Sequence, residues 1–276
     1  MNINMIDLTI NLLILFFFLG LFAGFFDSIS GGGGLLTIPV MLIAGVPPLV
    51  ALGTNKLQGL FGTASATITF AMRGHLNFKA LWPTALLCFF ASIIGALIAS
   101  YIPEKKLAVF LPYVLILIAF YFGLSKKMNS PNEKPILPFF LLACIILPII
   151  GLYDGVFGPG AGSFYMLAFI SIGGLGIIQA TAQTKLMNFS SNIGGFVYFS
   201  IIGAVNWEIG LTMACGQILG STIGARLAIK KGIKIIKPLL VTVCILTALR
   251  LLYQYCLLYT SPSPRDRTRS RMPSSA

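Results

Sequence analysis

One histidine and seven acidic residues are all that 276 residues offer for acid–base or metal chemistry. His75 stands by itself in a short polar turn, and no His, Cys or carboxylate cluster has metal-ligand spacing. No metal, no cofactor and no catalytic residue is therefore expected. The five cysteines, Cys88, Cys144, Cys215, Cys244 and Cys256, are dispersed, and all but the last lie inside apolar runs. They read as small buried hydrophobes. A G-x-x-x-x-G-K-[ST] loop is missing, so the chain carries no nucleotide-driven pump of its own. Charge is scarce too: 9% of residues are Asp, Glu, Lys or Arg, against 57% hydrophobic. A soluble core of this length does not need so much apolar surface.

What is present is apolar length. Residues 10–26, 81–102 and 107–124 carry no charge, and each run is near the roughly 20 residues that cross a bilayer as helix. The fold class is all-α, a polytopic membrane helix bundle. A β-barrel would show ten-residue alternating segments instead. The first run has no Lys or Arg before it and no small-x-small site after it, so it reads as a retained span, not a signal peptide. The formal charge of +12 does not imply a nucleic-acid partner. Part of it sits in a basic stretch at 261–276, where composition changes abruptly. Residues 257–276 read as a disordered tail that resembles readthrough into a sequencing adaptor, and carry no functional weight. The remaining charge lies mostly in short loops, where it sets membrane orientation. The expected partners are a lipid bilayer and a small solute; the sequence leaves the oligomeric state open.

An internal repeat organises the chain. Asp27 in GFFDSISGGGG aligns with Asp154 in GLYDGVFGPGAG. Two residues more of shift give a constant offset of 129: ALGTNKL (51–57) on ATAQTKL (180–186), GHLNF (74–78) on GAVNW (203–207), and ASIIGALIA (91–99) on GSTIGARLA (220–228). Residues 1–124 form a first transmembrane repeat, 125–134 a connecting loop rich in turn formers, and 135–256 a second repeat. Each half has four long apolar segments and a fifth, interrupted one, at 35–52 and 163–180. If the interrupted segments only dip in, there are eight spans and parallel halves. If they cross, there are ten and the halves are inverted. With ten spans, loop lysines and arginines divide ten against two; with eight, five against seven. The positive-inside bias favours the inverted arrangement, with termini facing away from the cytoplasm. Trp82 and Trp207 read as interfacial anchors.

Broken backbone at membrane depth is tolerated only when buried in protein or lining a wet cavity. It exposes helix N-terminal N–H groups, which attract anions. Paired interruptions in the two halves of a repeat point to a transporter site. Gly31, Gly32, Gly33 and Gly34 make the first break, and Gly158 and Gly160 the second. Thr54, Asn55 and Lys56, echoed by Gln183, Thr184 and Lys185, add two lysines that are expensive in a bilayer unless they meet a partner or an anion. Gln58, Asn188 and Asn192 supply neutral hydrogen-bonding groups, with Ser65 and Ser191 on the helices that follow. All of these except Ser65 and Ser191 form the candidate substrate-binding set. Asp27 and Asp154 are candidates for a coupling proton or sodium ion. The ten-span connectivity places Asp27 beside Lys185 and Asp154 beside Lys56, each carboxylate facing the other half's lysine.

The segment at 24–59, GFFDSISGGGGLLTIPVMLIAGVPPLVALGTNKLQG, and AMRGHLNF at 71–78 resemble the TauE/SafE family of sulfite exporters, the toluenesulfonate-uptake permease group. The weaker second copy extends the resemblance over most of residues 8–250. It departs from the first at Pro159 and Ala161, which replace glycines, and at Gln183–Thr184, which replaces Thr–Asn; the halves are expected to contribute unequally. The resemblance implies transport of small, typically sulfur-containing anions such as sulfite, sulfoacetate or other organosulfonates in a bacterial cell membrane. A secondary carrier is the expectation. A passive anion channel would line a similar polar path and stays open. A membrane-embedded enzyme would need a reactive cluster that this sequence lacks.

Overall fold

The computed structural model describes residues 10–103, 106, 107, 113 and 135–231. Apart from positions 107 and 113, the expected segments at 107–124 and 235–255 lie outside the described residues, as do the loop at 125–134 and the tail at 257–276.

Eight helices and no strand occur among the described residues. The first half contributes α1 (Ile10–Ser30), α2 (Gly33–Ile43), α3 (Pro48–Met72) and α4 (Phe78–Tyr101). The second contributes α5 (Phe139–Val156), α6 (Ala161–Ser171), α7 (Ile177–Ile201) and α8 (Trp207–Lys231). Within α5, residues Leu142–Ile146 are wound as a π-helix. They lie just ahead of Pro148, whose missing N–H removes an ordinary rung. Helices α1, α4 and α5 are long and apolar enough to cross a membrane. The 25-residue helices α3, α7 and α8 reach about 37 Å but bury polar side chains on their inner faces, which lowers their hydropathy. Helices α2 and α6 have 11 residues each, too short to span.

The two halves run in opposite directions. Gly20, Gly24 and Ser28 of α1 approach Met213, Gln217 and Gly224 of α8 in that order, so these helices are parallel. Helix α3 runs the same way: Thr54 meets Asn206, Gly62 meets Gln217 and Ser65 meets Thr222. In the second family, Cys88 and Ser92 of α4 lie against Gly151 and Gly155 of α5, and Ala85 and Phe89 against Ser190 and Gly194 of α7. The families oppose each other, because Gly53, Lys56 and Gly59 of α3 meet Phe199, Gly195 and Asn192 of α7. The repeat mates α1 and α5, α3 and α7, and α4 and α8 are thus antiparallel, the arrangement of an inverted repeat.

Small residues let these backbones touch: Gly20, Gly24, Gly216, Gly220 and Gly224 in one contact, Gly95, Gly151 and Gly155 in the other. Such interfaces suit a bilayer, where close van der Waals packing and interhelical hydrogen bonds hold helices together. The outer surface is apolar, with Ile14, Phe18 and Phe22 on α1 and Leu86, Phe90 and Ile94 on α4 all exposed. Trp82 and Trp207 are also exposed, at opposite ends of the bundle. Arg73, Lys79, Arg226, Lys230 and Lys231 gather at one end, while Lys106 follows α4 at the other. The cysteines depart from expectation. Cys88 is buried, but Cys144 and Cys215 are exposed on the outer surface, where a thiol is apolar enough to face lipid; Cys244 and Cys256 lie outside the described residues.

Candidate functional site

The polyglycine stretch ends α1 and starts α2 within three residues. Gly31 takes a left-handed conformation, φ +80°, and its N–H donates to the Asp27 carbonyl at 2.7 Å, which closes α1 and turns the chain back. In the second half Gly158 and Gly160, φ +85° and +77°, carry the chain from α5 into α6. The two breaks touch at the centre of the bundle. A Cβ on Gly31 would fall on the backbone of Gly162 and Ser163, and Ser163 donates its hydroxyl to the Ser30 carbonyl at 2.7 Å. Gly34 lies against Pro159 in the same crossing. Two helix N-termini therefore meet about one point.

Four charges surround that point, paired across the halves. Lys56 Nζ lies 2.6 Å from Asp154 Oδ1, and Ser191 donates to Asp154 Oδ2. Lys185 Nζ lies 3.5 Å from Asp27 Oδ2 and donates to the Asp27 carbonyl. The Gly33 N–H donates to Asp27 Oδ1 at 3.1 Å. All four residues are buried, and their charges sum to zero. Burial of this kind demands pairing, because an isolated ion in the interior costs several kcal/mol.

Neutral amides complete the site. Asn55 Oδ1 accepts from Thr37 Oγ1 at 2.8 Å and from Gln58 Nε2 at 2.7 Å. Gln217 Nε2 donates to Gln58 Oε1. Ser221 Oγ donates to the Gly24 carbonyl at 3.1 Å, which ties the α8 end of this network to α1. A polar cavity of about 20 Å³ lies between these groups and the crossing, room for about one water. Asp27, Gly31, Gly33, Gly34, Asn55, Gln58, Asp154, Gly158, Gly160, Asn188 and Asn192 all line it.

Other residues singled out in the sequence sit elsewhere. Lys56 and Lys185 stand behind their carboxylates and do not line the cavity. Gly32 belongs to the turn between α1 and α2. The Thr54 hydroxyl accepts from the Asn206 N–H at 2.9 Å and holds the start of α8. Gln183 Oε1 and Thr184 Oγ1 are buried without a partner among the described residues. Ser65 bonds Thr222 of α8 at 2.7 Å. Four lining residues were not among the candidates: Gly59, Thr63, Gly162 and Gln217. The 129-residue offset would have found two, since Gly59 and Thr63 are the mates of Asn188 and Asn192; Gly162 lies just past the second glycine break. The mate of Gln217 is Cys88, so no signal pointed to it.

Antiparallel halves, paired helix breaks and a polar cavity where they cross are the architecture of a membrane transporter. The sulfite exporter TauE/SafE family model matches residues 16–251, and the chain belongs to this family. A probable membrane transporter protein of Sinorhizobium is 52% identical over 246 residues, covering 89% of this chain and 94% of the relative. The probable membrane transporter protein YfcA of Escherichia coli is 43% identical over 237 residues, covering 86% and 88%. A probable membrane transporter protein of Haemophilus influenzae is 36% identical over 247 residues, covering 90% and 97%. No solved structure matches the chain.

Proposed function

We propose that the protein is a secondary carrier that moves a small oxyanion, sulfite or an organosulfonate, across the bacterial inner membrane, coupled to a proton or sodium ion. The observation that carries this reading is the meeting of two helix N-termini beside a cavity lined with carboxamides. First-turn backbone N–H groups and amide N–H groups are the donors that an oxyanion needs in place of water. The lysines act at one remove: each neutralises a carboxylate that would otherwise repel the anion. The family description supports sulfite as the first solute to try.

A carrier fits better than a channel because the cavity is small. Space for one water does not admit a sulfite-sized anion, so the solute enters only when the helices around the crossing separate. Inverted halves offer two such openings, one to each side. The cation-rich end is the cytoplasmic one on this reading, and α1 begins at the opposite face.

Counterflow in proteoliposomes tests it. Vesicles loaded with unlabelled sulfite should take up labelled sulfite transiently and saturably, with methanesulfonate and sulfoacetate as competitors. Uptake that follows membrane potential alone, without counterflow, would indicate a channel. Uptake equal to that of empty liposomes for every sulfur anion would remove the solute assignment.

A further inference from the structure

The two ion pairs are repeat mates, yet they are built differently. Asp154 is held closely at both oxygens: Lys56 lies 2.6 Å from one and Ser191 donates to the other. Its side chain is 2% exposed. Asp27 has a backbone N–H on one oxygen, and its lysine stands off the other at 3.5 Å while donating to the Asp27 main-chain carbonyl. Its side chain is 11% exposed, to the cavity that it lines. The difference is written in the sequence. The mate of Ser191 is Gly62, which has no hydroxyl to offer, and the space beside Gly62 is filled by Gln217 and Ser221.

Charge count supplies the second observation. Lys56, Lys185, Asp27 and Asp154 sum to zero around the cavity. One anion entering leaves an uncompensated buried charge, which low-dielectric surroundings penalise heavily. One proton arriving with it restores neutrality, and among the described residues the loosely held base on the cavity wall is Asp27.

We propose that Asp27 is the proton-binding group of the carrier and that each monoanion travels with one proton bound there, Asp154 staying ionised as a structural partner of Lys56. This rests on the anion-carrier reading above. A hydronium ion from the open side gives its proton to Asp27 Oδ2 and leaves as water; no other bond is made or broken. The Asp27–Lys185 ion pair is then lost. Lys185 keeps its charge and its hydrogen bond to the Asp27 carbonyl, and its positive field is released toward the anion. The groups facing Asp27 agree with this. Helix α7 presents Lys185 and α2 the Gly33 N–H; α8 packs Gln217, Ser221 and Gly224 against the neighbouring Gly24, Phe25 and Ser28 of α1, and these α8 groups have no proton to exchange in the working pH range. Helix α6 brings Ser163 to the adjacent Ser30 carbonyl, and α3 and α5 bring the Lys56–Asp154 pair.

Two measurements test the assignment on the full chain. In proteoliposomes, wild type, Asp27→Asn and Asp154→Asn are compared for labelled sulfite accumulation under an inward pH gradient and for the pH dependence of sulfite exchange. The probe's own titration is common to all three, so only the difference between proteins is read. Wild type should accumulate sulfite, and its exchange should depend on pH. Asp27→Asn should accumulate none, and what exchange it performs should follow pH only as free sulfite does. A wild-type-like response in Asp27→Asn, or accumulation driven by sodium at equal pH, overturns the proposal. The second measurement needs no solute: infrared difference spectra during acid titration of the solute-free protein. A buried carboxyl band should appear in wild type and Asp154→Asn and be missing from Asp27→Asn. A band that disappears only in Asp154→Asn contradicts the assignment. If wild type carries no sulfur anion, the solute reading fails, while the infrared arm still judges Asp27.

Discussion

Lys56 of the first half and Asp154 of the second are joined by a 2.6 Å ion pair in which both side chains are 2% exposed. Removing one partner leaves the other charged, buried and unpaired. Lys56→Ala and Asp154→Ala should each cost about 3–5 kcal/mol of stability, read as a lower unfolding midpoint in detergent. The double exchange Lys56→Asp with Asp154→Lys should recover part of that loss, and additive losses in the double variant would show that the residues do not interact.

Glycine at the helix crossing is required for two reasons at once. Gly31 has φ +80° and no room for a Cβ, because the Gly162 backbone occupies that space. Gly45 has a similar φ, +87°, but a methyl added there would find nothing within 4 Å. Gly45→Ala should therefore cost only the left-handed backbone penalty, about 1–2 kcal/mol, and leave transport intact. Gly31→Ala should cost clearly more and lose transport. Equal melting temperatures for the two variants would refute the close contact.

Gln217 links α8 to the α3 amides. Gln217→Leu keeps the volume but leaves Gln58 Oε1 without its donor, at a cost of about 1–3 kcal/mol. Sulfite uptake should show a raised KM, whereas Cys88→Leu at the mate position should affect stability more than KM. The opposite ranking would place the solute on the Cys88 side.

Much of this site was legible in the residues because the repeat doubled every signal. Asp27 and Asp154, each with a glycine break beside it and a lysine some 30 residues on, allowed the cross-pairing with Lys185 and Lys56 to be inferred from parity alone. The same pattern placed Asn55, Gln58, Asn188 and Asn192 in one chamber. What was not legible depends on side-chain reach. A lysine near an anion-binding motif suggests a direct ligand, yet four methylenes carry Lys56 and Lys185 to the carboxylates that form the cavity wall. Thr54 follows from packing of a helix start that no motif announces. Gln217 owes its place to space left at Gly24 and Gly62, a steric fact visible only once three helices are assembled.

The proposed orientation puts the cation-rich end in the cytoplasm. Lys230→Cys in a background lacking exposed cysteines should react with an impermeant thiol reagent in inside-out vesicles and stay protected in right-side-out ones. Lys106→Cys should do the reverse. Labelling of both from the same side would break the inverted arrangement.

If a small anion binds where the two broken helices cross, equilibrium binding of labelled sulfite to the purified protein should depend on the space there. Gly59 lines the cavity, and the nearest atoms to a Cβ there belong to the Asn192 amide, so Gly59→Val should fill the chamber without disturbing backbone. Wild type and a lipid-facing control, Ile94→Ala, should bind saturably, and Gly59→Val should lose binding while its melting temperature holds. Undiminished binding in Gly59→Val would put the solute somewhere else.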